Sequence, residues 1–447
     1  MVTSSADHSS RVHRMARVVV IGGGFGGMAS AARLAKLGHD VTLVERLPHL
    51  GGAMGTVEKD GFTWDAGPSA TLLPAVVRDL FRKSGRPLER EIDLVPQEII
   101  RTHHFEDDTR VALPGGSRAA QVEALDDLAP GLGDQWASYV GAFADDWEAI
   151  RRDYLERPWI PEFASKETTA RIFTREMLAK RLKKSFKDDR LRMLAAHPFV
   201  FEGHDPRDVP AWMGMVSYVE QRFGAWTVEG GFGRLCDVLA QRLATRKVTV
   251  LLDTRVDDIV VRGGRAVAVA TDSGEIDADV VVCAIDPRGL PVLAPHVRRT
   301  MPAIPPVVCH LGLTGDVPVL PPESVFHGDP MLVVRTGGTA PEGGKAVTVL
   351  ARGLLAEDIV LGLVRKGLNL RPHVEVRVDR SPRTQVEQWG GSPMGVLWQG
   401  RNTLRDRLST TTPVPGVYAA GAHAAPGAGI PHVGLSAALV AQEVGPA

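Results

Sequence analysis

One glycine-rich run near the start of the chain has the residue types that bind phosphate. Gly22-Gly23-Gly24-Phe25-Gly26-Gly27 fits the spacing G-x-G-x-x-G. In that spacing Gly22 permits a tight turn after a strand, Gly24 lets the backbone approach a pyrophosphate, and Gly27 allows close helix–strand packing. The N–H groups and the positive dipole end of the following helix would attract the phosphates.

The residues around this run predict one βαβ unit. Residues 17–21 are a short β-branched run, which is typical of a buried parallel strand. Residues 28–37 have a helix pattern that stops at Gly38, and residues 41–44 form a second strand that ends at Glu45. A carboxylate there accepts hydrogen bonds from ribose hydroxyls and would repel the 2′-phosphate of NADP. The unit therefore predicts binding of NAD or FAD.

A second glycine pair favours FAD. The segment ERLPHLGGAMGT resembles a motif of flavoproteins with two dinucleotide-binding domains, in which a Gly-Gly pair soon after the acidic residue approaches the cofactor again. The segment contains Arg46, Gly51, Gly52, Ala53 and Met54. That class usually has arginine after the paired glycines, so a contact from that arginine is not expected here.

Three further stretches resemble a single family. They are GFTWDAGP at 61–68, WTVEGGFGRL at 226–235 and GVYAAGAHAAPGAGIP at 416–431. Together they resemble the bacterial phytoene desaturase family, the carotenoid-type branch of the amine-oxidase-like flavoproteins. The resemblance is clear over 17–100, 195–290 and 381–445. It implies FAD held without a covalent bond, a substrate domain that covers the isoalloxazine, and removal of a hydride from an unactivated carbon chain.

The resemblance also implies the remaining cofactor contacts. Gly67 and Pro68 would lie beside the flavin, and the backbone of Val256 would meet adenine. Gly421 and Ala422 would reach the phosphates and ribityl chain, whereas residues 429–433 would lie near the pyrimidine ring. The predicted FAD-binding residues are Gly22, Gly24, Phe25, Gly26, Gly27, Glu45, Arg46, Gly51, Gly52, Ala53, Met54, Gly67, Pro68, Val256, Gly421, Ala422, Gly429, Ile430 and Val433.

The candidate catalytic residue is His432. It departs from the family pattern, which usually has a small residue after Ile-Pro. A neutral imidazole beside the flavin would orient the substrate or accept a proton. The alternative is a structural or solvent-facing histidine.

The order of elements predicts an α/β fold. A Rossmann-like FAD-binding domain of the two-dinucleotide-binding-domain type is expected to be interleaved with a mixed α+β substrate domain. The length of 447 residues exceeds what one hydrophobic core usually carries. We expect a flexible tail over residues 1–16. The FAD-binding domain would comprise 17–100, 225–290 and 411–447, and the substrate domain would comprise 101–224, largely helical, and 291–410.

Composition excludes several function classes. The net charge of −1 provides no global field for nucleic acid. The three cysteines form no C-x-x-C pair, which argues against a disulfide framework or a metal site and favours a reducing, cytoplasmic compartment. The N-terminal residues lack the apolar stretch of a signal peptide, and no run is long enough to span a bilayer. The basic stretch 171–192 leaves two interpretations open, namely peripheral contact with the inner face of a membrane or a solvated helix.

These features predict an FAD-dependent desaturase or dehydrogenase that acts on a small apolar substrate, either isoprenoid or carotenoid-like or a secondary metabolite. No second G-x-G-x-x-G follows a strand, so a separate NAD(P)H-binding domain is not expected. Electrons are therefore expected to leave to oxygen, a quinone or a redox partner. The alternatives are an amine or amino-acid oxidase, an FAD-dependent isomerase, and a flavin-binding protein without enzymatic activity.

Overall fold

The computed structural model describes residues 15–160 and 162–447. Residues 1–14, which make up most of the predicted tail, lie outside the described residues. None of the helices within these two ranges is long and apolar enough to cross a lipid bilayer.

A five-stranded parallel sheet carries the glycine loops. Its strands, in spatial order, are Val417–Ala419, Val280–Cys283, Arg17–Ile21, Asp40–Val44 and Thr249–Leu251. The central strand consists of β-branched residues after its first arginine, and these residues are buried on both faces of the sheet. The predicted fold class is confirmed, and three distant segments of the chain supply the strands.

Alternate residues of the central strand belong to different hydrophobic cores. Val18 and Val20 face a core shared with four helices, which are Phe25–Lys36, Pro74–Ser84, Gly233–Thr245 and Ile430–Val444. Val19 and Ile21 face a core shared with an antiparallel sheet of the strands Val256–Arg262, Arg265–Thr271 and Gly274–Asp277. The two-residue period of the strand thus separates a helical layer from a β layer.

A second sheet has seven strands of mixed orientation. Their spatial order is Val374–Arg380, Val307–Leu313, Lys345–Arg352, Met331–Thr336, Glu323–Phe326, Ile99–His104 and Arg110–Pro114. Glu323–Phe326 pairs in parallel with Ile99–His104, and the other neighbouring pairs are antiparallel.

Short helices accompany the second sheet and enclose an aromatic-rich core. They are Arg118–Leu128, Leu132–Gly141, Ala144–Ile150, Lys166–Ile172, Leu178–Ser185, Asp189–Phe201 and Met215–Phe223, with a π-helical turn at Arg151–Leu155. The region 101–224, which is predicted to be largely helical, is therefore divided into short helices. One division occurs where Asp188 caps a new helix by accepting the N–H of Arg190 at 2.8 Å.

The remaining elements connect the two sheets. The strand pairs are Thr56–Lys59 with Phe62–Asp65 and Leu94–Gln97 with Ala225–Val228, the helices are Ile359–Arg365, Pro382–Trp389 and Thr403–Asp406, and the 3₁₀ turns are Gly52–Met54, Leu88–Arg90, Ala211–Gly214, Pro287–Gly289, Ala294–Val297 and Arg371–His373. We propose that the parallel sheet and its flanking layers form the FAD-binding domain, from 17–100, 225–290 and 411–447. The strand Ile99–His104 crosses the first of these boundaries.

Candidate functional site

The first glycine loop joins the strand Arg17–Ile21 to the helix Phe25–Lys36. Gly22 has a φ of +101°, which favours glycine. A Cβ on Gly27 would overlap the carbonyl oxygen of Gly22, so this glycine lets the helix pack on the strand. A Cβ on Gly24, by contrast, would meet no atom within 4 Å. The loop thus presents one open glycine at a helix N-terminus, where anions bind favourably.

The second glycine pair packs directly against the first loop. The N–H of Gly51 donates to the carbonyl oxygen of Gly23 at 2.9 Å. A Cβ on Gly52 would come within 3.2 Å of the Cα of Gly24. The pair therefore forms a second wall beside the open glycine.

The C-terminal loop forms a third wall. A Cβ on Gly26 would lie 2.9 Å from the Cα of Gly421, whose N–H donates to the Oγ of Ser436 at 2.9 Å. The helix Ile430–Val444 follows this loop, and Pro431 is tolerated in its first turn because the missing N–H breaks no intrahelical bond there. Three glycine-rich segments that are distant in sequence therefore meet.

The three segments open on one cavity of about 850 Å³. Most of the predicted FAD-binding residues line it, namely Gly22, Gly24, Phe25, Gly26, Glu45, Gly51, Gly52, Ala53, Met54, Gly67, Pro68, Gly421, Ala422, Gly429, Ile430 and Val433. Gly27, Arg46 and Val256 do not line the cavity. Gly27 packs below the loop, Arg46 donates to the backbone carbonyl of Glu387 at 2.8 Å, and Val256 begins a strand of the three-stranded sheet.

Glu45 lies at the end of its strand, on the cavity wall. Its Oε2 accepts the N–H of Gly23 at 2.6 Å, and its Oε1 accepts the N–H of Leu47 at 2.8 Å. A carboxylate has about four lone-pair positions, so each oxygen can accept a further bond from a ribose hydroxyl. Together with the open space at Gly24, this arrangement fits the ribose and pyrophosphate of FAD.

Asp65 is a cavity residue that the predicted site omitted. It ends the strand Phe62–Asp65, and its Oδ1 accepts the N–H of Gly233 at 3.1 Å. Burial raises the pKa of Asp65 to about 6, although the N–H groups of Gly233 and Phe232 lower it. The sequence signal was the GFTWDAGP stretch itself, but nothing local indicated that residues 232–233 would face it.

We expect Asp65→Asn to stabilise the protein increasingly as the pH rises from about 4 to about 6. In this range unfolded aspartate is ionised whereas folded Asp65 keeps its proton, so the wild-type protein loses stability with rising pH. The pKa difference corresponds to about 2–3 kcal/mol of unfolding free energy. Thermal midpoints of both proteins between pH 4.5 and 7.5 measure the effect. A difference that stays constant across this range would contradict it.

His432 also lines the cavity, in the first turn of the last helix. Its Nδ1 lies 3.0 Å from the carbonyl oxygen of Ala428. Because a carbonyl oxygen only accepts, Nδ1 carries the proton of the neutral ring and Nε2 keeps its lone pair. Burial lowers the pKa of His432, which favours this neutral form.

A buried ion network forms another part of the cavity wall, and no sequence pattern indicates it. Arg101 donates to Glu220 at 2.7 Å and to Glu323 at 3.1 Å, and Arg335 donates to Glu323 at 2.6 Å. Burial alone would raise the pKa of Glu323, but Arg335 and Arg101 lower it to about 2. All four side chains line the cavity, and their charges cancel.

The chain is similar to a known family of flavoproteins. A model described as "Flavin containing amine oxidoreductase" matches residues 25–349. The chain is also similar to the 4,4′-diapophytoene desaturases (4,4′-diaponeurosporene-forming) of Staphylococcus aureus strains COL and Newman. It is 27% identical to each over 277 residues, which are 60% of this chain and 55% of each relative. The match thus spans about half the length of these relatives.

Several solved structures are similar in fold. An oxidoreductase from Methanosarcina mazei has a TM-score of 0.65 and 18% identity, covering 95% of this chain and 100% of that chain. Wild-type putrescine oxidase bound to putrescine has a TM-score of 0.63 and 14% identity, covering 96% and 98%. Rab GDI from Plasmodium falciparum has a TM-score of 0.57 and 13% identity, covering 93% and 95%. Because these proteins differ in kind, the shared fold does not identify a substrate.

Proposed function

We propose that this chain, which belongs to the family of flavin-containing amine oxidoreductases and has FAD as its cofactor, removes a hydride from an apolar substrate. The proposed substrate class is isoprenoid or carotenoid-like compounds, or apolar secondary metabolites. The proposed activity is that of a desaturase or dehydrogenase.

One observation carries this proposal: the glycine-lined part of the cavity continues into an apolar part. That part is lined by Leu72, Leu73, Phe199, Met213, Met215, Val216 and Val219. Apolar walls favour apolar ligands, because each Å² of apolar surface removed from water contributes roughly 25 cal/mol to the binding free energy. The similarity to diapophytoene desaturases supports the same substrate class.

Different residues of the chain would bind the cofactor, orient the substrate and accept the proton. When bound, FAD accepts the hydride of a substrate carbon. The loops at Gly24, Gly52 and Gly421 would hold the pyrophosphate, and Glu45 would accept the ribose hydroxyls. The apolar walls would orient the chain and exclude water. We propose that Nε2 of His432 accepts the proton that leaves the adjacent carbon.

An amine or amino-acid oxidase is the second candidate, and one observation favours it. The loop at residues 421–431 lacks the aromatic residues that flank substrates in such enzymes. Other segments, however, bring Tyr154, Trp212 and Trp398 to the cavity. The ring centroids of Tyr154 and Trp212 are 6.3 Å apart, and those of Trp212 and Trp398 are 6.0 Å apart. Because aromatic ring faces attract cations, this cluster would also suit a substrate with an ammonium group.

Anaerobic reduction of the FAD-loaded protein tests the proposal. Isoprenoid compounds, both as hydrocarbons and as carboxylic acids, and primary amines are mixed separately with the protein, and the flavin absorbance is followed. We expect bleaching by an isoprenoid. Bleaching by amines with none by isoprenoids would favour the oxidase. Bleaching by neither class would contradict both, and would favour the isomerase or the non-enzymatic flavin protein.

For the electron acceptor we propose oxygen, a quinone or a redox partner. The same anaerobic experiment includes NADH and NADPH, and rapid bleaching by either would contradict this part of the proposal. For the basic stretch 171–192 we propose a solvated helical surface rather than a membrane contact. Its Arg171, Arg181 and Arg190 pair with Asp146, Glu176 and Asp188, as expected for a solvated helical surface.

A further inference from the structure

The cavity wall contains a buried guanidinium that is held by uncharged groups. Arg407 is 6% exposed and lines the cavity. Its Nη1 donates to the carbonyl oxygen of Pro426 at 2.7 Å, and its Nη2 lies 3.5 Å from that of Val396. The guanidinium carbon is 5.3 Å from the ring centroid of Trp398. Over residues 15–160 and 162–447, no carboxylate forms an ion pair with Arg407.

Backbone pairing fixes the position of this arginine. The N–H of Ala425 donates to the carbonyl oxygen of Leu408 at 2.9 Å, which places Arg407 beside the loop that precedes the last helix. Gly427 in that loop leaves room for the side chain, since a Cβ there would lie 2.9 Å from Nη1 of Arg407. The loop and the arginine are therefore fitted to each other at the cavity.

The other arginines of the cavity are neutralised. Arg101 and Arg335 share Glu220 and Glu323, so that network has no net charge. Burial lowers the pKa of Arg407. Among the described residues, the hydroxyl of Tyr154 is its one polar side-chain partner. A buried charge without a counter-ion is unfavourable, and guanidinium groups remain protonated in proteins. The aromatic part of the cavity thus carries an uncompensated positive charge.

We infer that Arg407 binds a carboxylate of the substrate, so that the substrate is an apolar chain bearing an acid group rather than a pure hydrocarbon. This inference rests on the proposed function and specifies its substrate class. A guanidinium has five N–H donors, and the partners described above use three of them. A planar carboxylate matches the remaining geometry and supplies the missing charge. The aromatic rings around it would accommodate the apolar chain.

Ligand binding to the oxidised, FAD-loaded protein tests the inference without turnover. Farnesoate, farnesol and farnesyl phosphate are titrated separately, and the shift of the flavin absorbance gives each dissociation constant. We expect farnesoate to bind at least about 10-fold more tightly than farnesol, because a charge-assisted hydrogen bond is worth that much. Tighter binding of farnesyl phosphate than of farnesoate would assign the site to phosphate and overturn the carboxylate.

Variants of Arg407 distinguish a role of its charge in ligand binding from a role of its side chain in supporting the neighbouring loop. Arg407→Met should abolish the preference for farnesoate over farnesol, and Arg407→Lys should keep part of it. Arg352→Met is the control, because the half-buried guanidinium of Arg352 is also held by backbone carbonyls, of Phe201 and Ile304, but does not line the cavity. It should keep the full preference. If Arg407→Met does not retain FAD, the inference is tested by the preference for farnesoate over farnesol in the wild type and in Arg407→Lys.

Three further results would overturn the inference. They are equal affinity of the wild type for farnesoate and farnesol, an unchanged preference in Arg407→Met, and a complete loss of preference in Arg407→Lys that retains FAD. These outcomes are independent of the proposed function. Bleaching by a hydrocarbon without acid binding would leave the function standing and the inference wrong. Tight farnesoate binding with no bleaching by any substrate would support the inference and contradict the proposed function.

Discussion

Gly24→Val is expected to give a folded protein that does not retain FAD. The position tolerates a side chain sterically, because a Cβ there meets no atom within 4 Å. The valine would instead occupy the open space at the N-terminus of the helix Phe25–Lys36, where the pyrophosphate is proposed to bind. We expect FAD affinity to fall by on the order of 100-fold or more, about 3 kcal/mol. The ratio of flavin to protein absorbance after purification measures it.

Gly27→Val is the matched control within the same loop. A Cβ at Gly27 would overlap the carbonyl oxygen of Gly22, so this variant should disturb the strand–helix packing itself. We expect it to lose both FAD and the cooperative thermal transition, whereas Gly24→Val keeps the transition of the FAD-free protein. Normal flavin content in Gly24→Val would show that the loop is structural and that the cofactor lies elsewhere.

The cofactor half of the site could be predicted because its signals are local. The β-branched run, the glycine spacing and Glu45 all lie within 29 residues, and hydrophobic periodicity fixes their order in a βαβ unit. The structure then shows why the more distant glycines matter, since Gly52 and Gly421 each approach the first loop closely. Arg46 and Val256 were placed by resemblance alone, and neither reaches the cavity.

The substrate half could not be predicted, because its contacts join residues far apart in sequence. Arg101 and Glu220 are 119 positions apart, and Arg101 and Glu323 are 222 apart. An arginine in a strand and a glutamate in a helix look like ordinary surface residues until tertiary packing buries them. The same holds for Arg407, because no residue pattern indicates that no carboxylate of residues 15–160 and 162–447 pairs with it.

His432→Gln is expected to keep FAD and to slow substrate-dependent flavin reduction by about 10²–10⁴-fold, the usual contribution of a general base. Removal of a hydride leaves positive charge on the substrate, and the adjacent carbon must lose a proton. With Nδ1 donating to Ala428, Nε2 is the basic atom of the ring. A glutamine side chain has no comparably basic atom. Anaerobic stopped-flow absorbance with the substrate found above measures the rate.

The pH dependence distinguishes a base from a residue that only starts the helix. Burial lowers the pKa of His432, so the ring is neutral at pH 7 and its proton-accepting form is lost only as the pH falls through the lowered pKa. The wild-type rate of flavin reduction should therefore be constant near neutral pH and fall in acid. His432→Gln should be slow at every pH and lack that decline.

His373→Gln is the control for the substitution itself, because Nδ1 of His373 also faces a backbone carbonyl, that of Thr314 at 3.3 Å, but the residue does not line the cavity. It should reduce its flavin at the wild-type rate. A wild-type rate in His432→Gln as well would assign His432 to the start of the last helix. The proposed hydride removal would survive that result, because the proton can be lost without a dedicated side-chain base. Arg407 would then be the one side chain near this loop with a proposed role toward the substrate.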